Sequence, residues 1–243
     1  MDVAGVSIDL AAVARAHTVV LVEGGSDKAA VEVLAGQRGQ VLGGAGLHVL
    51  AMGGATSIGH FLAVLGPRGI GARLGGLCDA GQEGFLRRAL ARGGLGTSTS
   101  RAGMEALGFY VCITDLEDEL IRAAGTGAVE QIIQAQGELR PFRIFQQQPA
   151  QRQRSTAEQL HRFLGTRSGR KSQYARLLAA ALDPAQIPRP LDRVLAHGYN
   201  VLVPLRWQRI HHLVAIFSSR VSEPAEYVRA WDTLLVRSVR PGT

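Results

Sequence analysis

The sequence predicts an α/β protein: a mostly parallel sheet of about four strands flanked by helices, continued by a helical C-terminal extension. Three observations carry this expectation. Between residues 18 and 124, short apolar runs rich in β-branched residues alternate strictly with segments of helical character, the order that yields a parallel sheet covered by helices. Three of the strand runs end in a carboxylate, at Glu23, Asp79 and Asp115. The chain has 243 residues and is 46% hydrophobic, enough for one good core or one domain with a small appendage.

Residues 1–16 read as a short amphipathic helix or arm, with Val6, Leu10 and Val13 near helical spacing. Thr18–Val22 is a β-branched run of the kind buried on both faces of a parallel sheet. Ser26 is placed to cap a helix through Leu34, with Asp27 in its first turn. Leu47–Met52 is a second strand, closed by Gly53 and Gly54, and Ser57–Leu65 a helix. Arg73–Cys78 is a third strand ending at Asp79, and Glu83–Arg92 a helix. Phe109–Ile113 is a fourth strand, followed by a helix from Leu116 to Ala124. Helices are expected over Ala128–Gln136, Thr156–Leu164 and Gln173–Leu182, with the glutamine-rich Gln146–Gln153 as a linker and Pro184, Pro188 and Pro190 breaking the chain. The organisation is thus an arm (1–16), an α/β domain (17–126), a helical extension (127–195) and an appendage or tail (196–243) that holds both tryptophans and the adjacent pair His211 and His212.

Composition excludes several classes. No apolar run approaches the roughly 18–20 residues that span a bilayer. The start of the chain, with Asp2 and Asp9, lacks the basic region of a signal peptide. A cytoplasmic protein without membrane contact is expected. Two cysteines, Cys78 and Cys112, make neither a disulfide framework nor a zinc site and read as buried strand residues. The net charge of +7, from 27 basic and 20 acidic residues, favours polyanionic partners such as nucleic acid.

In a parallel sheet, ligands bind at the carboxyl ends of the strands. Hard divalent ions take oxygen ligands, commonly carboxylates, water and phosphate oxygens, and a pair of ions about 4 Å apart can hold both the attacking and leaving oxygens of a phosphodiester. Glu23, Asp79 and Asp115 meet that demand from distant parts of the sequence. Asp27 lies one helical turn beyond Glu23, and Glu117, Asp118 and Glu119 crowd the start of the next helix. Helix-dipole stabilisation accounts equally for Asp27, Glu83, Glu117 and Asp118, and N-capping for Asp115. Glu23 and Asp79 are harder to dismiss, each following an apolar run directly and preceding glycine or Ala-Gly.

Leu21-Val-Glu-Gly-Gly-Ser-Asp27 resembles the first motif of the TOPRIM domain, a Rossmann-like fold in which a strand-end Glu precedes Gly. Leu77-Cys-Asp-Ala-Gly81 resembles the second, normally Asp-x-Asp, and Met52–Ser57 the Gly-rich turn between them. The whole, over about residues 17–195, is most similar to the TOPRIM domain of the OLD (overcoming lysogenisation defect) nucleases, with Leu116-Glu117 and Ser168-Gly-Arg-Lys171 matching their later acidic step and basic helix. Two departures stand out. Gly81 replaces the second Asp, leaving Glu83 as its substitute, and the ATPase phosphate loop of full OLD proteins has no counterpart, since Gly66–Gly71 lacks the Lys and Ser/Thr. The resemblance therefore implies a stand-alone form whose ATPase is absent or is supplied by a separate partner chain.

What the resemblance implies is metal-dependent phosphoryl transfer on nucleic acid, DNA before RNA, by an endonuclease using two Mg²⁺ or Mn²⁺ ions. Glu23 and Asp79 would hold the first ion and Asp27 and Glu117 the second, with Asp115 or Glu83 as further ligands. Lys171 would stabilise the transition state. Arg167, Arg170 and Arg176 would contact backbone phosphates. Related nucleases self-associate, so a homodimer is expected. The alternatives are a degenerate, non-catalytic module for nucleic-acid or protein binding, which Gly81 favours, and a primase-like nucleotidyl transferase.

Overall fold

A computed structural model of the chain describes residues 1–96, 100–167 and 169–199. Residues 200–243, with His211, His212 and most of the expected appendage, lie outside the described residues. The chain opens not with one helix but with an antiparallel pair, β1 (Asp2–Val3) and β2 (Val6–Ser7). Ala4 and Gly5 turn between them at φ of 53° and 81°, the two-residue arrangement whose twist suits a hairpin. Helix α1 (Leu10–Arg15) starts only after Asp9, whose carboxylate accepts from the Ala11 and Ala12 N–H groups at 2.9 and 3.0 Å.

The alternating region follows as β3 (Thr18–Val22), α2 (Gly25–Gln37), β4 (Leu47–Ala51), α3 (Ile58–Leu65), β5 (Leu74–Cys78), α4 (Glu83–Arg92), α5 (Arg101–Ala106), β6 (Phe109–Val111) and α6 (Leu116–Ala124). The extension adds α7 (Thr126–Ala135), α8 (Leu139–Gln146), α9 (Thr156–Leu164), α10 (Arg170–Ala181) and α11 (Arg189–Tyr199). Among the described residues no helix is long and apolar enough to cross a membrane.

Strands β3 to β6 form one sheet in the order β4-β3-β5-β6, every pair parallel. All five residues of β3 are buried, as a central strand covered on both faces requires. Its side chains alternate. Val20 and Val22 enter one core with α2 and the helices from α6 onward. Val19 and Leu21 enter a second core with α1, α3, α4 and Met104 of α5. The helices that follow β3 and β5 thus lie on opposite faces of the sheet. Between two such neighbouring strands the chain leaves a crevice at their carboxyl ends, and Glu23 and Asp79 flank it.

The sheet is tight where glycine permits. A Cβ on Gly76 would lie 2.8 Å from the Leu21 carbonyl oxygen and 2.9 Å from the Phe109 ring. On the opposite face α11 rests on the sheet, His197 Nε2 lying 3.1 Å from the Leu74 carbonyl oxygen, and a Cβ on Gly108 (φ 87°) would come within 2.3 Å of that imidazole.

The extension is packed against the sheet rather than appended to it. Phe142, Phe145, Leu160, Phe163 and Tyr174 share a core with Val20 and Val22. The glutamine-rich stretch is ordered into this body: Gln146 Nε2 donates to Gln159 Oε1 at 2.7 Å, and Gln159 Nε2 to the Gln151 carbonyl at 2.8 Å. Cys78 and Cys112 are buried and unbridged, and burial pushes the Cys78 thiol up to about 12.

Candidate metal centre

The site is assembled from four segments. Glu23 follows β3 directly. Asp27 sits in the first turn of α2, where its Oδ2 accepts the Gly24 N–H at 2.8 Å, so Gly24 rather than Ser26 is the cap. Asp79 follows β5, next to β3 in the sheet. Asp115 caps α6, its Oδ1 accepting the Asp118 N–H at 2.9 Å, and Glu117 is buried in the first turn of that helix. The fourth segment is α10, which packs against α2 and α6. Its Lys171 Nζ donates to Glu117 Oε2 at 3.2 Å. A Cβ on Gly25 would lie 3.4 Å from Ser172 Oγ, so α10 lies close to this turn.

The acids lie close enough for their charges to act on one another. Asp79 is pushed up to about 7, first by burial and then by Asp27, Glu23, Asp115 and Glu117. Asp27 rises to about 6, burial and the charges of Glu117 and Glu23 outweighing the Gly24 N–H. For Asp115 burial acts upward, but hydrogen bonds from His161 and the Asp118 N–H hold the carboxyl below its ordinary value. Lys171 is raised: Glu117, Asp115 and Asp27 outweigh its desolvation. Carboxylates that drive each other's pKa upward ionise more readily when a cation lies among them.

Glu117 gives a sharper sign. It is 4% exposed, and its Oε1 is buried with no hydrogen-bond partner. An unsatisfied buried carboxylate oxygen is costly, and a bound cation would satisfy it. Among the described residues, Asp115 and Glu117 offer oxygens that lie, with a His161 ring nitrogen, within 4.8 Å of one another, and the charges of Glu23, Asp27 and Asp79 act on the same surroundings, so the donor types present fit a divalent ion.

The other sequence candidates part ways. Glu83, at the start of α4, is engaged by Arg101 Nε at 2.8 Å, so its charge is already compensated. Arg170 is not a nucleic-acid contact. It is 5% exposed, donates to Glu138 Oε1 at 2.7 Å and to the Phe163 carbonyl at 3.1 Å, and stacks over the Phe163 ring at 4.3 Å. Tyr174 donates to the other oxygen of the same Glu138 at 2.7 Å, so Arg170 ties the helices of the extension together. Arg167 and Arg176 are exposed, with Arg167 only loosely paired to Glu138 at 3.8 Å. The three acids after Leu116 also divide their work. Glu117 faces the site, while buried Glu119 accepts the Ile113 N–H at 2.7 Å and pairs with Arg122 at 2.6 Å. The sequence reading missed His161 on α9, whose Nε2 lies 2.7 Å from Asp115 Oδ2. A single histidine on an amphipathic helix carries no spacing signal that would have found it.

Residues 16–79 match the family model for the overcoming lysogenization defect protein-like TOPRIM domain. The chain contains an OLD-like TOPRIM domain. The matched segment includes Glu23, Asp27 and Asp79. The fold of the larger part of the chain is also that of known OLD structures. The C-terminal region of the Burkholderia pseudomallei OLD protein superposes with a TM-score of 0.56 at 17% identity, covering 74% of this chain and 96% of that one. The C-terminal region of the OLD protein from Xanthomonas campestris pv. campestris does so in crystals phased with platinum (TM-score 0.55, 20% identity, 81% and 97% covered) and with mercury (0.54, 20%, 75% and 94%). At these identities the likeness is one of fold. No curated protein matches the chain. The TOPRIM parallel sheet and its helical C-terminal part are thus as expected from the sequence.

Proposed function

We propose that the TOPRIM domain is a metal-dependent nuclease centre that hydrolyses phosphodiester bonds of nucleic acid, DNA before RNA, in the cytoplasm. The observation that carries this reading is the approach of Asp115 and Glu117, one oxygen of Glu117 being buried without a partner, beside strand-end Glu23 and Asp79 and the helix-start Asp27, whose charges act on one another. The OLD-like TOPRIM match supports the general class, metal-dependent chemistry on nucleic acid.

Glu23 and Asp79 would hold one Mg²⁺ or Mn²⁺, and Asp27 and Glu117 a second, with Asp115 beside them. Ions held there supply charge neutralisation at a phosphate and acidification of a water molecule. The chain's own residues do the rest. Strands β3 and β5 fix Glu23 and Asp79 on rigid elements, so the donors need little reorganisation. Glu117 holds the Lys171 ammonium at the edge of the crevice, where it can stabilise negative charge growing on a phosphoryl or leaving oxygen. Exposed Arg167 and Arg176 would bind backbone phosphates without reading sequence.

The test is nicking of supercoiled DNA by the purified chain in Mg²⁺ or Mn²⁺. Glu23→Gln and Asp79→Asn should each reduce nicking by a factor of about 100 or more, as expected when an acid at the reacting centre is lost. Cleavage that survives both substitutions, or clean protein that neither cleaves nor binds metal, would sink the proposal. Gly81, together with the engagement of Glu83 by Arg101, favours a second reading, a non-catalytic TOPRIM module. Metal binding without cleavage would select it.

A further inference from the structure

His161 reaches the acidic crevice from α9, outside the segment that carries the TOPRIM match. One of its ring nitrogens and one oxygen each from Asp115 and Glu117 all lie within 4.8 Å of one another. Two donors bound at right angles to one ion, each at about 2.1 Å, sit about 3 Å apart. The separation of His161 Nε2 and Asp115 Oδ2, 2.7 Å, is near that spacing. The second, independent sign is Glu117, whose side chain is 5% exposed and whose Oε1 has no partner. Its other oxygen takes Lys171, so the orphaned atom is the one left for a ligand.

We propose that His161 is a direct nitrogen ligand to a divalent ion, completing an Asp115–Glu117–His161 site that takes Mn²⁺, Co²⁺ or Zn²⁺ in preference to Mg²⁺ or Ca²⁺. The proposal rests on the metal-dependent reading of the same crevice. Hard Mg²⁺ and Ca²⁺ are held by oxygen, whereas imidazole is a donor suited to later first-row ions. A neutral imidazole with its proton on Nδ1 presents the Nε2 lone pair toward Asp115 and Glu117. The ion held by Glu23 and Asp79 would have oxygen donors alone and no such preference, so the two ions of one crevice would lie in chemically different surroundings.

The experiment is electron spin-echo spectroscopy of the full chain loaded with Mn²⁺, with calorimetric competition between Mn²⁺ and Mg²⁺ alongside. The wild-type spectrum should show ¹⁴N modulation from a directly bound imidazole. His161→Gln should abolish it and lower the Mn²⁺-over-Mg²⁺ preference by about tenfold or more. Mn²⁺ bound without ¹⁴N modulation, or with modulation retained in His161→Gln, overturns the proposal and leaves His161 as a hydrogen-bond partner of Asp115, with the metal-dependent reading intact. Failure to bind Mn²⁺ at all overturns both. Bound Mn²⁺ with the nitrogen signal but no DNA cleavage supports the site and sinks the nuclease reading alone. Should that variant fail to fold, His161→Asn is read in its place, with the same outcomes.

Discussion

The acidic residues of the crevice work against one another until a cation arrives, and this makes them sensitive to pH. Asp79 and Asp27 are raised in the folded protein, to about 7 and about 6, from ordinary values of 3.8. At these two groups the native state binds more protons than the unfolded chain between those limits, so they contribute stability that is lost as pH rises through that window. Metal-free protein should melt at a lower temperature at pH 8 than at pH 5. Saturating Mn²⁺ or Mg²⁺ should remove or reverse that trend, because metal binds the ionised carboxylates. Thermal melts at the two pH values, with and without metal, check this; a metal-free protein more stable at pH 8 would contradict it. Gly81 supplies a second prediction. A Cβ there meets nothing within 4 Å, so the position has room for the acid that the TOPRIM motif normally carries. Gly81→Asp should raise Mn²⁺ affinity by about tenfold, the scale on which one added carboxylate tunes such sites, measured by calorimetry. An unchanged or weaker affinity would show that the second acid has no role in this chain.

At the scale of elements, the sheet depends on close approach where side chains are missing. Gly108 has a φ of 87°, and its Cβ position is occupied by the His197 imidazole. Gly108→Ala should cost about 2–4 kcal/mol, from backbone strain and from displacement of α11, read in chemical denaturation; a cost below about 0.5 kcal/mol would mean that α11 does not rest there. The same contrast explains what the sequence showed and what it hid. β3, β4 and β5 were legible because β-branched and apolar runs of strand length end at glycine or a carboxylate. Helices α6 and α9 were legible to the residue, since Asp115 and Ser155 cap them. Helix α8 was not anticipated; its Pro141, in the first turn, lacks only an N–H that has no intrahelical partner. Helix α11 was hidden because Pro190, read as a break in the chain, lies in its first turn. The opening hairpin was hidden because Val6, Leu10 and Val13 mimic a helical stripe until the Ala4-Gly5 turn intervenes.

On the scale of the whole molecule, the site is a product of topology. Glu23, Asp79 and Glu117 are far apart in sequence, and only a sheet whose order places β5 beside β3, with α6 following β6, brings them to one crevice. The strand-end position of Glu23 and Asp79 was therefore readable from the alternation of elements alone. The part played by the extension was less so. Lys171 could be guessed from its resemblance to the basic helix of OLD proteins, but Arg170 next to it turns inward to Glu138, and neighbouring basic residues on a helix point in different directions for reasons only packing reveals. His161 reaches Asp115 because α9 packs against α6, a contact that no spacing within the sequence encodes. The account as a whole stands on a cation filling the crevice these elements enclose. An anomalous difference map from crystals soaked in Mn²⁺ tests it most directly. At least one strong peak should lie among Glu23, Asp27, Asp79, Asp115 and Glu117, and any peak beside Asp79 should vanish in Asp79→Asn crystals; soaked crystals with no peak in that crevice would contradict the account.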